Sequence, residues 1–230
     1  MVRTRPYLIS PQLQLSARPT GRLCHPMFTL TRPRPPRVDA FLAEQRSATF
    51  SYAEVGATRD GFAPAGYAVD RNRLRLGDGA AVFERAAAAL RVWRMTTLTW
   101  SSVWPRGAPV LPGTTVAVVM HHYGFWSMNA CRVVYVLDDD ASAASGVRRA
   151  GFAYGTLPDH GAIGEERFAV EWHAVDDSVW YDLYAFSRPG SLLARLGSPL
   201  ARHLQRRFAR DSKAAMATAA NAGTPAPAVA

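Results

Sequence analysis

The chain has 230 residues, of which 48% are hydrophobic and 20% charged, a composition that is typical of a globular protein with a sizeable core. No apolar run approaches the roughly 20 residues of a membrane-spanning helix, and the two cysteines, Cys24 and Cys131, are too few for a secreted disulfide scaffold. The net charge of +9 is concentrated near the ends, because residues 1–40 and 188–213 each sum to +6 and leave −3 for the rest.

This charge distribution does not indicate a nucleic-acid partner. Only one of the 27 basic residues is a lysine, Lys213, and the arginines are not interleaved with aromatic residues as they are in single-strand binders. The N-terminus lacks the apolar segment of a secretory signal. We therefore expect both cysteines to be reduced and the protein to be cytoplasmic.

Both ends of the chain are predicted to be disordered tails. Residues 1–36 are basic, rich in proline and without hydrophobic periodicity, and Met27 is an alternative start of the chain. Residues 221–230 are small and proline-containing. Residues 37–220 are left as a single domain.

The first half of the domain begins with a predicted short helix over 37–48, in which Val38, Phe41, Leu42 and Gln45 share one face. The alternation in 49–58 predicts a strand, and 65–76 is irregular or partly extended. Asp78 then precedes a helix over 79–95, and we expect it to be the cap. The apolar face of that helix contains Val82, Phe83, Ala86, Leu90 and Trp93.

A series of strands follows, and most have turn residues between them. The predicted strands cover 98–104, 115–123, 129–137, 147–157, 166–174 and 178–187. A helical turn over 191–197 precedes a long amphipathic helix, with Ser198 as its N-cap and Pro199 in its first position.

This order of elements predicts an α+β fold. A curved antiparallel sheet of about six to seven strands has one apolar face to cover, and a long amphipathic C-terminal helix can cover it. Such a helix-grip arrangement leaves space between helix and sheet, where ligands bind.

Four long motifs lie within residues 48–217: FERAAAALRVWRM followed by LTW, FAYGTLPDHGAIGEERFAVEW, VWYDLYAFSRP and RRFARDS. In these motifs the chain resembles the uncharacterised protein family 0548, a bacterial and plant group. The element order is also similar to that of the START and Bet v 1-like helix-grip proteins. This resemblance implies a hydrophobic ligand cavity, although fold alone does not fix function.

The segment FAYGTLPDHGAIGEERF carries the acid–base candidates Glu166 and His160. Alternation places Glu166 in the inward row of its strand and Glu165 on the solvated face. A carboxyl group at the mouth of a cavity has a raised pKa and suits an acid, base or ligand anchor. The simpler interpretation is that Glu166 serves the turn or pairs with an arginine, and that His160 is an exposed loop residue.

The last strand leaves two alternatives open. Trp180, Asp182, Tyr184 and Phe186 share one face, and Val179, Tyr181, Leu183 and Ala185 share the other. If the first set faces the helix, Asp182 is a buried carboxylate and a third catalytic candidate. The second set is more uniformly apolar, which favours an ordinary, exposed Asp182.

We therefore expect an uncharacterised domain that binds a small hydrophobic or amphipathic ligand, with no cofactor and no metal. His121 and His122 are adjacent in a strand, so they face opposite sides and cannot chelate one ion. Two alternatives are an enzyme on the same fold that uses Glu166, such as a cyclase, isomerase or hydrolase, and a membrane-surface or protein-partner role for the arginine-rich last helix. The expected ligand-binding residues are Tyr154, Glu166, Phe168, Trp172, Trp180, Tyr184 and Phe208.

Overall fold

The alternating segments form a single antiparallel sheet. The structure is a computed structural model that describes residues 28–139, 146–190 and 198–222. The strands are β1 (Phe28–Thr29), β2 (Ala68–Asp78), β3 (Ser101–Trp104), β4 (Thr115–His122), β5 (Phe125–Asp139), β6 (Val147–Thr156), β7 (Ala162–His173) and β8 (Ser178–Pro189). Their order across the sheet is β2–β8–β7–β6–β5–β4–β3, and β1 pairs with β5.

Three helices accompany the sheet: α1 (Pro35–Gln45), α2 (Ala80–Arg91) and α3 (Ser198–Ala220). The helix α3 buries one residue per turn against the sheet, because positions four apart lie on the same helical face. These residues are Phe208, Ser212, Met216 and Ala220. The predicted α+β fold, an antiparallel sheet packed against a long C-terminal helix, is confirmed.

The sheet has two different sides. On the side that faces α2 and α3, here called the helix-facing side, the main core includes Phe152, Phe168 and Tyr181. On the opposite or outer side, Tyr135, Leu137, Ala153 and Ala169 form a smaller cluster, and α1 packs on a third cluster around Met128 and Ala130. Each side therefore buries its own set of strand residues.

Two glycines allow neighbouring strands to approach more closely than a side chain would permit. A Cβ atom on Gly151 would lie 2.2 Å from the carbonyl oxygen of Phe168, and one on Gly164 would lie 2.0 Å from that of Phe186. Gly164 also has a φ of +154°. Glycine inside a strand marks such bends and close approaches.

The segment 49–58 was wrongly predicted to be a strand. It belongs to an irregular stretch over 46–67, because the N–H groups of Gly56 and Thr58 donate to a side chain, Glu165, and not to a neighbouring strand. The following segment, irregular or partly extended in the prediction, instead forms the 11-residue edge strand β2.

Several predicted boundaries also change. Asp78 does not cap α2, whose N-cap is Gly79 with a φ of +87°, and it pairs instead with Arg75. The turn between β4 and β5 is shorter than expected, since β5 already begins at Phe125.

Part of the predicted N-terminal tail is ordered. The strand β1 pairs with β5, and α1 begins at Pro35. The predicted helical turn over 191–197, residues 1–27 and residues 223–230 lie outside the described residues.

Candidate functional site

A carboxyl–phenol pair lies on the helix-facing side of the sheet. Tyr154 of β6 and Glu166 of β7 are directly opposite each other in the strand register. Cross-strand partners on one face are close enough for their side chains to meet. The Tyr154 hydroxyl accordingly donates a hydrogen bond of 2.7 Å to Oε2 of Glu166.

The surroundings of Glu166 favour its neutral form. Burial raises its pKa to about 7, and the hydrogen bond from Tyr154 offsets only part of this effect. Among the described residues no cation pairs with it. Its charge in turn contributes to the raised pKa of the buried Cys131 thiol, for which burial is the larger cause. Glu166 thus titrates near neutral pH.

Aromatic rings surround this pair. The ring centroid of Phe168 lies 5.2 Å from that of Tyr154 and 6.4 Å from that of Phe208 on α3. Four of the predicted ligand-binding residues are therefore brought together: Tyr154, Glu166, Phe168 and Phe208. Glu166 is partly exposed, whereas Phe168 is fully buried, so the carboxyl group lies at the rim of the packed aromatic cluster.

A hydrogen bond holds α3 on the sheet close to this rim. The hydroxyl groups of Tyr181 and Ser212 are 2.8 Å apart, and both residues are buried. Nearer the start of the helix, Gln205 donates to the Ser187 hydroxyl at 3.1 Å. The middle of α3 consequently packs directly on the sheet.

The adjacent residue, Glu165, contradicts its prediction. It was placed on a solvated face, yet its side chain is only 2% exposed. One carboxylate oxygen accepts hydrogen bonds from the Tyr52 hydroxyl at 2.6 Å and the Gly56 N–H at 2.7 Å. The other accepts from the N–H and the hydroxyl of Thr58. The irregular segment 46–67 covers the outer side of β7 and supplies all these donors.

Tyr52 and Tyr135 complete the structure around Glu165. Burial and the Glu165 charge raise the pKa of Tyr52, so its hydroxyl stays protonated as a donor. The ring of Tyr52 lies over Gly155, where an added Cβ atom would be 2.1 Å from the tyrosine oxygen. The Tyr135 hydroxyl lies 2.7 Å from that of Thr58. This is a structural site that fastens a loop to the sheet.

His160 neither joins Glu166 nor lies fully exposed. Its Nδ1 atom accepts a hydrogen bond of 3.0 Å from the N–H of Ala162, and burial lowers its pKa to about 4. The neighbouring Asp159 accepts a hydrogen bond of 2.9 Å from Gln45. The loop is thus closed by its own backbone and tied to α1.

Asp182 lies on the outer side of the sheet, so the ordinary interpretation holds. It accepts a hydrogen bond of 2.7 Å from Arg167. Trp180 and Tyr184 share that side. The guanidinium carbon of Arg73 lies 4.7 Å from the ring centroid of Trp180, and that of Arg71 lies 4.6 Å from the ring centroid of Tyr184. The structure therefore places these two predicted ligand-binding residues on the opposite side of the sheet from Glu166.

Trp172 lies on the correct side but away from the pair. Its ring centroid lies 6.1 Å from that of Phe83 of α2, and its indole N–H donates a hydrogen bond of 2.8 Å to Asp177. It belongs to the contact between α2 and the sheet.

A cleft of about 270 Å³ opens between α2, β5 and β6. Its lining residues are Ala87, Leu90, Arg91, Val110, Leu111, Val136, Leu137, Asp138, Ala150, Gly151 and Phe152. This set includes neither Glu166 nor any residue of α3, so the cleft is distinct from the predicted space beneath the last helix.

The residues that the sequence did not reveal are Glu165 and its donors. The signal was the segment FSYAEVGAT, whose Tyr52, Gly56 and Thr58 supply hydrogen-bond donors while its alternation imitates a strand. Within the described ranges, no group of three or more His, Cys, Asp or Glu side chains is arranged to hold a metal ion. No described helix is long and apolar enough to cross a membrane.

Comparisons with known proteins identify relatives across nearly the whole domain. The model of a domain of unknown function, DUF1990, matches residues 51–215. A UPF0548 protein of Deinococcus radiodurans is 40% identical over 196 residues, covering 80% of this chain and 94% of the relative. One of Dictyostelium discoideum is 31% identical over 201 residues, covering 81% and 92%.

Among solved structures, human STARD10 superimposes with a TM-score of 0.40 at 11% identity, over 82% of this chain and 81% of that one. The family match therefore comes from sequence, over the segment that contains both glutamates and most of α3. The chain belongs to the UPF0548 family, whose shared domain is DUF1990.

Proposed function

We propose that this protein binds a small amphipathic molecule at the rim between β7 and α3, with the Tyr154–Glu166 pair as the polar anchor. The observation that supports this most is a carboxyl group with no cationic partner among the described residues, beside an apolar core. Among the residues that the structure describes, Tyr154 is the one hydrogen-bond donor to the Glu166 side chain. A carboxylate oxygen accepts more than one hydrogen bond, so Glu166 keeps capacity for a ligand.

The chemistry of the anchor selects the polar end of the ligand. Above its pKa of about 7, Glu166 is a carboxylate that attracts an ammonium group. Below it, the neutral acid both donates and accepts, which suits a hydroxyl or carbonyl group. The aromatic cluster around Phe168 and Phe208 supplies apolar contacts for the remainder of the molecule.

The acid–base constellation of the alternative enzyme hypothesis is not assembled. A general base has to lie within hydrogen-bond reach of the group it serves. His160 is engaged by Ala162, and Asp182 lies on the opposite side of the sheet paired with Arg167. Glu166 remains the one of these three candidates on the helix-facing side, with Tyr154 as its partner.

A binding experiment with two matched probes tests the proposal. A dansyl-labelled long-chain amine and the corresponding alcohol are titrated by fluorescence, and native mass spectrometry of the purified protein identifies any molecule that it retains. We expect the amine to bind more tightly at pH 8 than at pH 6, since Glu166 ionises between them, and Glu166→Gln to remove this difference and weaken amine binding about tenfold at pH 8.

The control is Glu84→Gln, which makes the same change on an exposed glutamate of α2 paired with Arg148, and it should bind both probes as the wild type does. The proposal fails if Glu166→Gln also binds as the wild type does, or if neither probe binds and no retained molecule is found.

A further inference from the structure

One end of the molecule exposes an apolar cluster that the proposed ligand site does not use. Tyr123 in the turn between β4 and β5 is 58% exposed, and Phe125 at the start of β5 is 48% exposed. Next to them, Phe28 and Leu30 are 52% and 74% exposed. We call these four residues the tip patch. Large apolar side chains that are exposed together mark interaction sites more often than single ones do.

The strand register brings the patch residues to one place. Phe28 of β1 is opposite Ser127, and Thr29 is opposite Trp126. Leu30 directly follows β1, and Phe125 directly precedes Trp126 at the start of β5. Because alternate residues share a face, Phe28 and Phe125 lie with Ser127 on the helix-facing side, and the ring centroid of Tyr123 is 6.5 Å from that of His203 on α3.

Basic side chains lie near the patch on both sides of the sheet. On the outer side, the Arg32 guanidinium lies 5.4 Å from the ring centroid of Trp126, and Trp126 in turn stacks on His121 with ring centroids 4.5 Å apart. On α3, Arg202 directly precedes His203 and Arg206 follows it by three residues, and both arginines are exposed. The three segments that meet here, residues 28–34, 117–129 and 198–210, contain no aspartate or glutamate at all. Asp211, which follows the last of these segments directly, pairs with Arg207 and Arg210.

We propose that the tip patch docks on the surface of an anionic lipid bilayer. Phenylalanine and leucine side chains at a hairpin tip can enter the boundary between head groups and acyl chains, and tyrosine prefers the head-group level. Each arginine close to an anionic membrane adds attraction for the lipid phosphates. Exposed apolar side chains with basic residues beside them fit this partner better than they fit an apolar protein surface, which would bury arginines without partners.

The patch also lies on the same side of the sheet as the Tyr154–Glu166 pair. From Phe125, strand β5 leads to Cys131, which is close enough to Glu166 for their charges to interact. Six residues of extended strand span about 20 Å. A docked molecule would thus present the ligand site at a short distance from the bilayer, which is useful for a protein that takes up or delivers an amphipathic molecule.

Vesicle flotation with the full chain tests the docking, and it needs no knowledge of the ligand. The probes are vesicles of phosphatidylcholine alone and of phosphatidylcholine mixed with phosphatidylglycerol. We expect the wild type to float with the anionic vesicles only, and less at higher salt because the charges are screened. The double variant Tyr123→Ser/Phe125→Ser should lose about tenfold or more of its vesicle affinity, since two exposed rings no longer enter the interface. Arg202→Glu/Arg206→Glu should lose a comparable factor.

Matched controls stand elsewhere on the surface. Val175→Ser removes an apolar side chain that is 95% exposed in the turn between β7 and β8, and Arg94→Glu reverses an exposed charge beyond the end of α2. Both should float as the wild type does.

The proposal is overturned if the wild type does not float, if it floats equally with both vesicles, or if the tip variants and the controls behave alike. Size-exclusion chromatography adds one more outcome. A wild-type dimer that the tip variant converts to a monomer would make the patch an interface between two copies and would contradict membrane docking.

Discussion

Glu165 and Glu166 are neighbours in one strand, and the two sides of the sheet give them opposite roles. Glu165 is buried on the outer side with donors from Tyr52, Gly56 and Thr58. Glu166 lies at a rim on the helix-facing side with one phenol and a pKa of about 7. A carboxylate whose lone pairs are all used is a structural element, whereas one that is desolvated but under-coordinated is suited to meet a ligand.

The largest effect that separates the two residues is expected from Glu165→Ala. It leaves several donors of the loop over 46–67 buried without an acceptor, and we expect the free energy of unfolding to fall by about 3–5 kcal/mol. Urea denaturation measures it. The exposed control Glu84→Ala should change stability by less than about 0.5 kcal/mol. A loss below about 1 kcal/mol for Glu165→Ala would show that the loop does not depend on this carboxylate.

The next effect concerns the backbone beneath Tyr52. Gly155→Ala places a methyl group 2.1 Å from the tyrosine oxygen, so the ring has to move away from Glu165, and we expect a loss of about 2–3 kcal/mol. In a Tyr52→Ala background the same change should cost much less, because its obstacle is gone. A double-mutant cycle by urea denaturation gives the coupling, and additive losses would refute the close contact.

The pH dependence of the free energy of unfolding tests the raised pKa of Glu166. The folded-state pKa of Glu166, about 7, lies above its ordinary value of 4.5. The folded protein therefore holds the proton more tightly, and stability falls as pH rises from about 4.5 to about 7. Since the side chain is partly exposed, we expect a loss of about 2 kcal/mol between pH 5 and pH 8. Glu166→Gln should lack this part of the slope in thermal or urea unfolding.

His160 acts in the opposite direction in the same range. Its pKa of about 4 in the folded protein lies below 6.5, so protonation favours the unfolded chain and stability falls as pH decreases through that interval. His160 contributes equally to the stability–pH curves of the wild type and of Glu166→Gln, so subtracting one curve from the other removes its contribution. Identical curves would contradict the raised pKa of Glu166.

The smallest effect is expected on the outer side, at Asp182. Asp182→Asn weakens a partly exposed ion pair with Arg167, so we expect a loss of about 1 kcal/mol or less. Binding of the dansyl amine should be unchanged, because the residue faces away from Glu166. Weakened amine binding without a loss of stability would place Asp182 in the ligand site after all.

Local alternation was sufficient to predict which residues of β7 and β8 share a face. Phe168 with Val170 and Tyr181 with Leu183 all lie in the helix-facing core, because apolar spacing of two is a property of each strand by itself. The pattern of one strand does not show what covers each side. Glu165 follows polar spacing and would be solvated if residues 46–67 did not fold over it from more than 100 positions earlier in the chain.

The site was predicted in part for the same reason. The inward direction of Glu166 depends on its own strand, and Glu166 lies on the helix-facing side opposite Tyr154, as alternation predicted. Its partner Tyr154 depends on the register between β6 and β7, which places Tyr154 directly opposite Glu166 and which the pattern of a single strand does not give. The directions of Trp180 and Tyr184 required knowing which face of β8 meets α3, and the sequence left that choice open.

The bare backbone at Gly155 has a consequence for how this family diverges. Gly155 leaves room for the ring of Tyr52, and the hydroxyl of Tyr52 donates to Glu165. The residues at positions 52, 155 and 165 therefore depend on one another. A lineage that loses the tyrosine is free to gain a side chain at 155 and has no further need of glutamate at 165. Alignments of close and distant relatives should therefore show these three positions changing together, independently of position 166.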